Sequence, residues 1–206
     1  MCHKIRMVFI IGITGGTASG KSTFAKNLQK MYIKEGLKTT LIHMDDFYKG
    51  VSKFSDIELQ LLKNNNLNLD DPSMIDLKLM TDIISNPTET YRMPVYHRES
   101  YDTSHYKDIT LINTDVVIVE GIFIFSDTNF EKYDMTIYVD TPMPIRLMRR
   151  LMRYPKDEKE KQLEYYNRFV VMSFMKHTKP YRYKCNYVVD GEKSFEENIK
   201  MLSDSI

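Results

Sequence analysis

Residues Gly15-Gly16-Thr17-Ala18-Ser19-Gly20-Lys21-Ser22 follow the pattern GxxxxGK[ST]. These residue types at this spacing suit a polyphosphate. The glycines let backbone N–H groups converge on phosphate oxygens, Lys21 has the reach to meet β- and γ-phosphates, and the Ser22 hydroxyl can ligate Mg²⁺. A helix opening at Lys21, with Thr23 in its first turn, aims its positive end at the same phosphates. By chance the bare pattern occurs in on the order of 1% of chains this long. Here an apolar run precedes it and helical spacing follows, the context a phosphate loop requires. Glycine is scarce, 8 of 206 residues, yet four of the eight lie between Gly12 and Gly20.

Two more clusters could do chemistry. Asp45-Asp46-Phe47-Tyr48 closes a short apolar run. In a parallel α/β sheet the carboxyl ends of strands line the ligand crevice, and a carboxylate there can take the proton of an attacking hydroxyl. The alternative is a pair of solvated turn aspartates. Arg146, Arg149, Arg150 and Arg153 fall at i, i+3, i+4 and i+7, one face of a helix. Leu147, Met148, Leu151 and Met152 supply its apolar remainder. Phosphoryl transfer is catalysed by positioning and charge neutralisation, which mobile arginines supply, and a closing lid excludes water. The alternative is a solvated amphipathic helix. The sign-alternating run Lys156–Lys161 reads as solvated surface. The DxxG and NKxD patterns of GTPases do not occur.

The elements that would position these groups alternate between strand and helix. Strands are expected at Ile5–Ile11, Thr39–Met44, Val116–Glu120, Met135–Asp140 and Asn186–Val189. A short strand at Met93–His97 has Ile109–Ile112 as its expected partner. Helices are expected from Lys21 to a C-cap at Gly36, at Ser55–Lys63, and from an Asp71-Pro72-Ser73 cap to about Ser85. A long one runs from Ile145 to about Met175, broken near Tyr154-Pro155, and the last covers Phe195–Leu202. This order predicts an α/β fold: a P-loop-type parallel sheet covered by helices on both faces. One domain is expected over 1–206, with a substrate-binding insertion at about 46–112 and a helical lid at about 143–177.

Composition narrows the partners. Lys+Arg is 29 against Asp+Glu 28, a net charge of +1. That balance argues against a protein built to coat nucleic acid or a membrane surface. The apolar run Met7–Ile11 is far short of the ~20 residues of a membrane helix. Cys2 and Cys185 form no CxxC and suggest no disulfide framework. A soluble chain in a reducing, cytoplasmic setting is expected.

Taken in order, the motifs resemble the uridine kinase family, within the wider uridine kinase/phosphoribulokinase group. Gly12 to Thr23 resembles its P-loop, and Met44-Asp45-Asp46-Phe47-Tyr48 its aspartate–x–Phe–Tyr. Asn68-Leu69-Asp70-Asp71-Pro72 resembles its Asn-Phe-Asp-His-Pro block, and Pro94-Val95-Tyr96 its Pro-x-Tyr. Val117 to Ile122 resembles its Glu-Gly strand end. Tyr138 to Arg150 resembles its Asp-Thr…Arg-Leu-x-Arg-Arg segment. Pro180 and Asn186–Val189 fit its closing strand. The likeness runs from about residue 8 to 191.

The resemblance implies an ATP-dependent kinase, with GTP left open, that uses Mg²⁺ and phosphorylates the 5′-hydroxyl of a small nucleoside-like substrate. It further implies self-association. Asp45 would be the base, Asp70 would hold the ribose hydroxyls, and Tyr48 and Tyr96 would stand at the acceptor. Glu120 would sit by the metal with Ser22. Arg146 would come down on the substrate, Arg149 and Arg150 on the nucleotide phosphates. Catalysis would rest on Asp45, Lys21 and Arg149.

The departures fall on specificity. His97, Arg98, Tyr101 and Thr103 stand where the family has an Asp–aromatic pair, then a His and an Arg that read base and sugar. Leu69 replaces a Phe, and Tyr154-Pro155 an Arg-Asp. Tyr91, Tyr96, Tyr101 and Tyr106 are available to stack on a flat ring or to pack locally. Three readings follow: a uridine/cytidine kinase; a kinase of another small alcohol, such as nicotinamide riboside, a sugar phosphate or a vitamin precursor; and a non-catalytic nucleotide-binding regulator, against which Asp45 and Glu120 speak.

Overall fold

The computed structural model describes residues 8–64, 66–87, 89–97, 99–126 and 130–203. Cys2 and Arg98 lie outside them, as does the start of the first expected strand. The strands are β1 (Phe9–Thr14), β2 (Thr39–His43), β3 (Thr90–His97), β4 (Asp102–Thr110), β5 (Val116–Glu120), β6 (Met135–Asp140) and β7 (Tyr187–Asp190). Five form one sheet in the order β2-β5-β1-β6-β7, and every pairing in it is parallel. β3 and β4 form a separate antiparallel hairpin.

The parallel strands alternate between two buried faces. Ile10, Val117 and Val119 pack into one core with Ile42, Phe123 and Phe125. Ile11, Ile13, Val116, Ile118 and Val139 pack into the other with Phe24 and Leu28. Burial on both sides explains why these strands read as unbroken apolar runs.

The helices are α1 (Lys21–Lys34), α2 (Asp56–Lys63), α3 (Leu77–Ser85), α4 (Met143–Leu151), α5 (Lys159–Tyr165), α6 (Val171–His177) and α7 (Phe195–Ser203). A π-helical turn over Tyr166–Val170 joins α5 to α6. The α2 helix opens with a capping box between Ser55 and Glu58.

Two local expectations are revised. Asp71 accepts from the Ser73 N–H but caps only a 3₁₀ turn; a bridge between Tyr48 and Ile75 follows, and Asp76 caps α3. The hairpin is longer than expected, and Met93 pairs with Lys107, not with Ile109–Ile112. The β4 side chains are largely exposed, so no continuous apolar face announces that strand. In α4 Arg146 and Arg150 are buried and not part of a solvated face, whereas Met148 is 47% exposed.

Candidate active site

The phosphate loop leaves β1 at Thr14, whose hydroxyl donates to the Gly121 carbonyl at 2.9 Å. It then turns through left-handed backbone at Ala18 (φ 60°) and Gly20 (φ 98°). A side chain at Gly15 would stand 2.5 Å from the Val139 carbonyl oxygen. Thr141 clamps the loop from outside, its hydroxyl donating to the Ser19 carbonyl at 2.8 Å. The first turn of α1 has no side-chain cap and no acidic residue, so its N–H groups and dipole suit an anion.

A cavity of about 780 Å³ opens beside this loop. Thr17, Ala18, Gly20, Lys21, Ser22 and Thr23 form one part of its wall. Asp45, Tyr48, Asp70, Tyr96 and Tyr101 form another. Gly15, Gly16 and Ser19 support the loop from behind and do not line the cavity.

The paired aspartates separate in role. Asp45 lines the cavity, whereas Asp46 takes a hydrogen bond from Lys107 of the hairpin at 2.6 Å. Asp70 is buried. Its loop is shaped by the Asn68 side chain, which accepts from the Asp70 N–H at 3.1 Å, and by Tyr165, whose hydroxyl accepts from the Leu69 N–H at 2.8 Å. Burial, then the negative charge of Asp70, pushes the Tyr165 hydroxyl above its ordinary pKa.

The arginines of α4 divide likewise. Arg150 lines the cavity and donates to the Thr17 hydroxyl at 3.3 Å. Arg149 donates to the Gly191 carbonyl at 3.0 Å, and Gly191 neighbours Gly20. Arg146 does not line the cavity. It is 2% exposed, its guanidinium stands 4.0 Å over the Phe174 ring, and its Nε donates to the Thr141 carbonyl at 3.0 Å. A Cβ on Gly16 would run into it. Its Nη1 is enclosed without a partner, and burial pulls its pKa below the ordinary arginine value. A cation held this way beside a phosphate loop suits an anion.

Glu120 ends β5 and is 4% exposed. One oxygen, Oε1, meets His43 Nδ1 at 2.7 Å; the other is enclosed and unpartnered. Burial alone would raise its pKa. The His43 hydrogen bond, the Lys21 and His43 charges and the Ser22 hydroxyl outweigh that and lower it, so the group is a carboxylate. An unpartnered buried carboxylate oxygen near a hydroxyl fits magnesium, which is commonly held by one or two protein groups plus nucleotide phosphates.

Of the four tyrosines near the hairpin, Tyr96 and Tyr101 line the cavity, and Tyr96 stacks on Tyr48 with centroids 5.0 Å apart. Tyr91 donates to the Asn86 carbonyl, and Tyr106 lies under Arg92 on the exposed side. His97 and His105 contact each other edge-on; among the described residues no histidine lines the cavity. The sequence reading missed His43, Tyr165 and Phe169, the last two also in the cavity wall. No motif signals them. Only the helical period of 165 and 169 hints at a shared face.

The sequence pattern of the phosphoribulokinase/uridine kinase family matches residues 10–190. Uridine-cytidine kinase-like 1 of Mus musculus is 35% identical over 182 residues, which cover 84% of this chain and 31% of that protein. The uridine kinase of Clostridium botulinum (strain 657 / Type Ba4) is 35% identical over 147 residues, 70% of this chain and 68% of the relative. The matched stretch thus spans about a third of the mouse relative and about two thirds of the bacterial one. Among solved structures, one described as a possible uridine kinase from Bacillus stearothermophilus aligns with a TM-score of 0.67 at 18% identity, covering 91% of both chains. The phosphoribulokinase from Rhodobacter spheroides aligns at 0.56 and 16%, covering 82% of this chain and 68% of that one. These two likenesses speak to the fold. Among the described residues no helix is long and apolar enough to cross a membrane. Phosphate loop, sheet order and matched relatives agree, and the chain belongs to the phosphoribulokinase/uridine kinase family, ATP-dependent kinases that phosphorylate an alcohol group.

Proposed function

We propose that the protein transfers the γ-phosphoryl group of ATP to the 5′-hydroxyl of a nucleoside, with uridine and cytidine as the leading acceptors. What carries this reading is one cavity that holds Lys21 and Ser22 of the phosphate loop together with Asp45, Asp70 and the tyrosines Tyr48, Tyr96 and Tyr101. A flat base suits the tyrosine wall, and ribose hydroxyls suit Asp70. Relatives named uridine kinase, about 35% identical, support the same acceptor.

In this reading the acceptor oxygen attacks the γ-phosphorus while Asp45 takes its proton. The bond to the β-phosphate oxygen breaks, and ADP leaves. Lys21 neutralises the β- and γ-oxygens, and Arg149, Arg150 and the buried Arg146 hold positive charge around the loop. Ser22 and Glu120 would hold the magnesium, which supplies charge neutralisation on the phosphates. The segments 46–112 and 143–177 serve as substrate-binding insertion and lid of one kinase unit. The balanced charge and free Cys185 suit a cytoplasmic enzyme of small molecules.

A second reading, a kinase of another small alcohol, is favoured by a tyrosine-lined acceptor wall in which, among the described residues, no histidine stands. A panel of nucleosides, ribosides and sugar phosphates with ATP and Mg²⁺ separates the two. Turnover of uridine or cytidine is expected; turnover of another alcohol without either pyrimidine nucleoside selects the second. Lys21→Ala abolishes turnover in both, and unimpaired activity would refute the phosphate-loop assignment.

A further inference from the structure

His43 and Glu120 are the last residues of β2 and β5, and the sheet pairs them in register. Matched residues on neighbouring parallel strands project to the same face about 4.8 Å apart. Imidazole and carboxyl can therefore meet, and Nδ1 stands 2.7 Å from Oε1. A carboxylate only accepts, so Nδ1 carries the proton in this bond. Oε2 is enclosed and makes no hydrogen bond of normal geometry, whereas buried polar atoms of folded proteins are nearly always paired. Lys21 and the Ser22 hydroxyl both act on this carboxyl.

The bond to His43 matters because of what Glu120 would otherwise do. The terminal torsion of a glutamate is broad, so an untethered carboxylate turns freely. With the Lys21 ammonium nearby it would turn towards that cation, and both groups would be withdrawn from phosphate and metal. Tethered at Oε1, the carboxylate keeps a fixed plane. We infer that His43 is a positioning residue: its N–H pins Oε1 of Glu120 so that Oε2 is presented, beside Ser22, to the divalent cation of the bound nucleotide. This inference rests on the ATP-dependent reading above.

The test uses Mn²⁺ as the probe, its binding to the ADP-loaded protein followed by the paramagnetic resonance signal of the free ion. Wild type, Glu120→Gln, His43→Ala and His43→Asn are compared, with a urea midpoint for each. Loss of an outer partner of a metal ligand typically costs 10–100-fold in metal affinity. His43→Ala is expected to weaken Mn²⁺ at least tenfold with metal-free ADP affinity unchanged. His43→Asn, whose side-chain amide can donate from nearly the same place, is expected to restore most of it. Wild-type Mn²⁺ affinity in His43→Ala, beside a weakened Glu120→Gln, overturns the inference and leaves the metal assignment standing. A Glu120→Gln protein that binds Mn²⁺ like wild type, or a wild type that does not bind it, overturns both. Should His43→Ala unfold, a folded His43→Asn that binds Mn²⁺ as poorly as Glu120→Gln overturns the inference by itself.

Discussion

Nη2 of Arg150 stands 3.9 Å from Oδ2 of Asp70, with both side chains nearly enclosed. The same guanidinium reaches the Thr17 hydroxyl, so one planar group spans the phosphate loop and the carboxylate assigned to the acceptor. A lysine offers a single point charge and cannot make both contacts. Arg150→Lys should lower kcat/KM for the acceptor about tenfold or more, the scale of one charge-assisted hydrogen bond at about 1.5–3 kcal/mol. Steady-state kinetics with each substrate varied will show it, and an unchanged kcat/KM would mean that the two contacts are not used together.

Asp45 and Asp46 should respond differently to the same change. Asp45→Asn removes the proposed base and should reduce kcat by about 10²–10⁴-fold with a near wild-type melting temperature. Asp46→Asn touches a partly exposed pair with Lys107, worth about 0–1 kcal/mol. Its kcat should fall less than about tenfold. Equal losses at the two positions would remove Asp45 as base.

Gly16 and Arg146 should behave as one unit. A methyl at Gly16 takes the space of the Arg146 guanidinium, a flexible side chain that can be pushed aside. Gly16→Ala and Arg146→Ala should each weaken ATP use, and the double variant should be no worse than Arg146→Ala. Contacting residues couple by about 0.5–3 kcal/mol. Strictly additive losses in kcat/KM for ATP would show that the two do not communicate.

Stability should fall at alkaline pH in part through the buried Tyr138 and the partly buried Cys185. Burial, then repulsion from Asp140, pushes the Tyr138 hydroxyl up to about 12. Burial likewise pushes the Cys185 thiol up to about 12. Each native value lies above the unfolded one, so the stabilisation is complete below the unfolded pKa. It declines as pH rises past about 9 to 10 and is gone above the native values of about 12. Urea midpoints at pH 8 and pH 11 should differ, and Tyr138→Phe should shrink that difference. A Tyr138→Phe protein with the full wild-type decline would rule out this residue as a source.

Legibility from sequence followed burial. Val116–Glu120 and Met135–Asp140 are strands at the expected residues because both faces are enclosed and nearly every side chain is apolar. The β3–β4 partners were missed because Asp102–Thr110 carries mostly exposed side chains. Periodicity alone left the α4 arginines between a lid face and a solvated one. The guanidiniums are drawn inward instead by Thr17, Asp70 and the Phe174 ring. The phosphate loop was legible since its chemistry is contiguous. His43 was not: its partner lies 77 residues away, and only the strand order β2-β5 makes them neighbours.

The π-helical turn at Tyr166–Val170 has a consequence for chain length. It carries one surplus residue per turn relative to an α-helix. Tyr165 just before it and Phe169 within it reach the cavity; beyond it Phe174 lies under Arg146. Deleting one residue just after it, between Val170 and Phe174, where no wide turn absorbs the change, would rotate one half against the other by about 100°. The hydroxyl under Leu69 and the ring under Arg146 could then no longer be in place together. In this short stretch the number of residues, more than their identity, sets the aim of the helix.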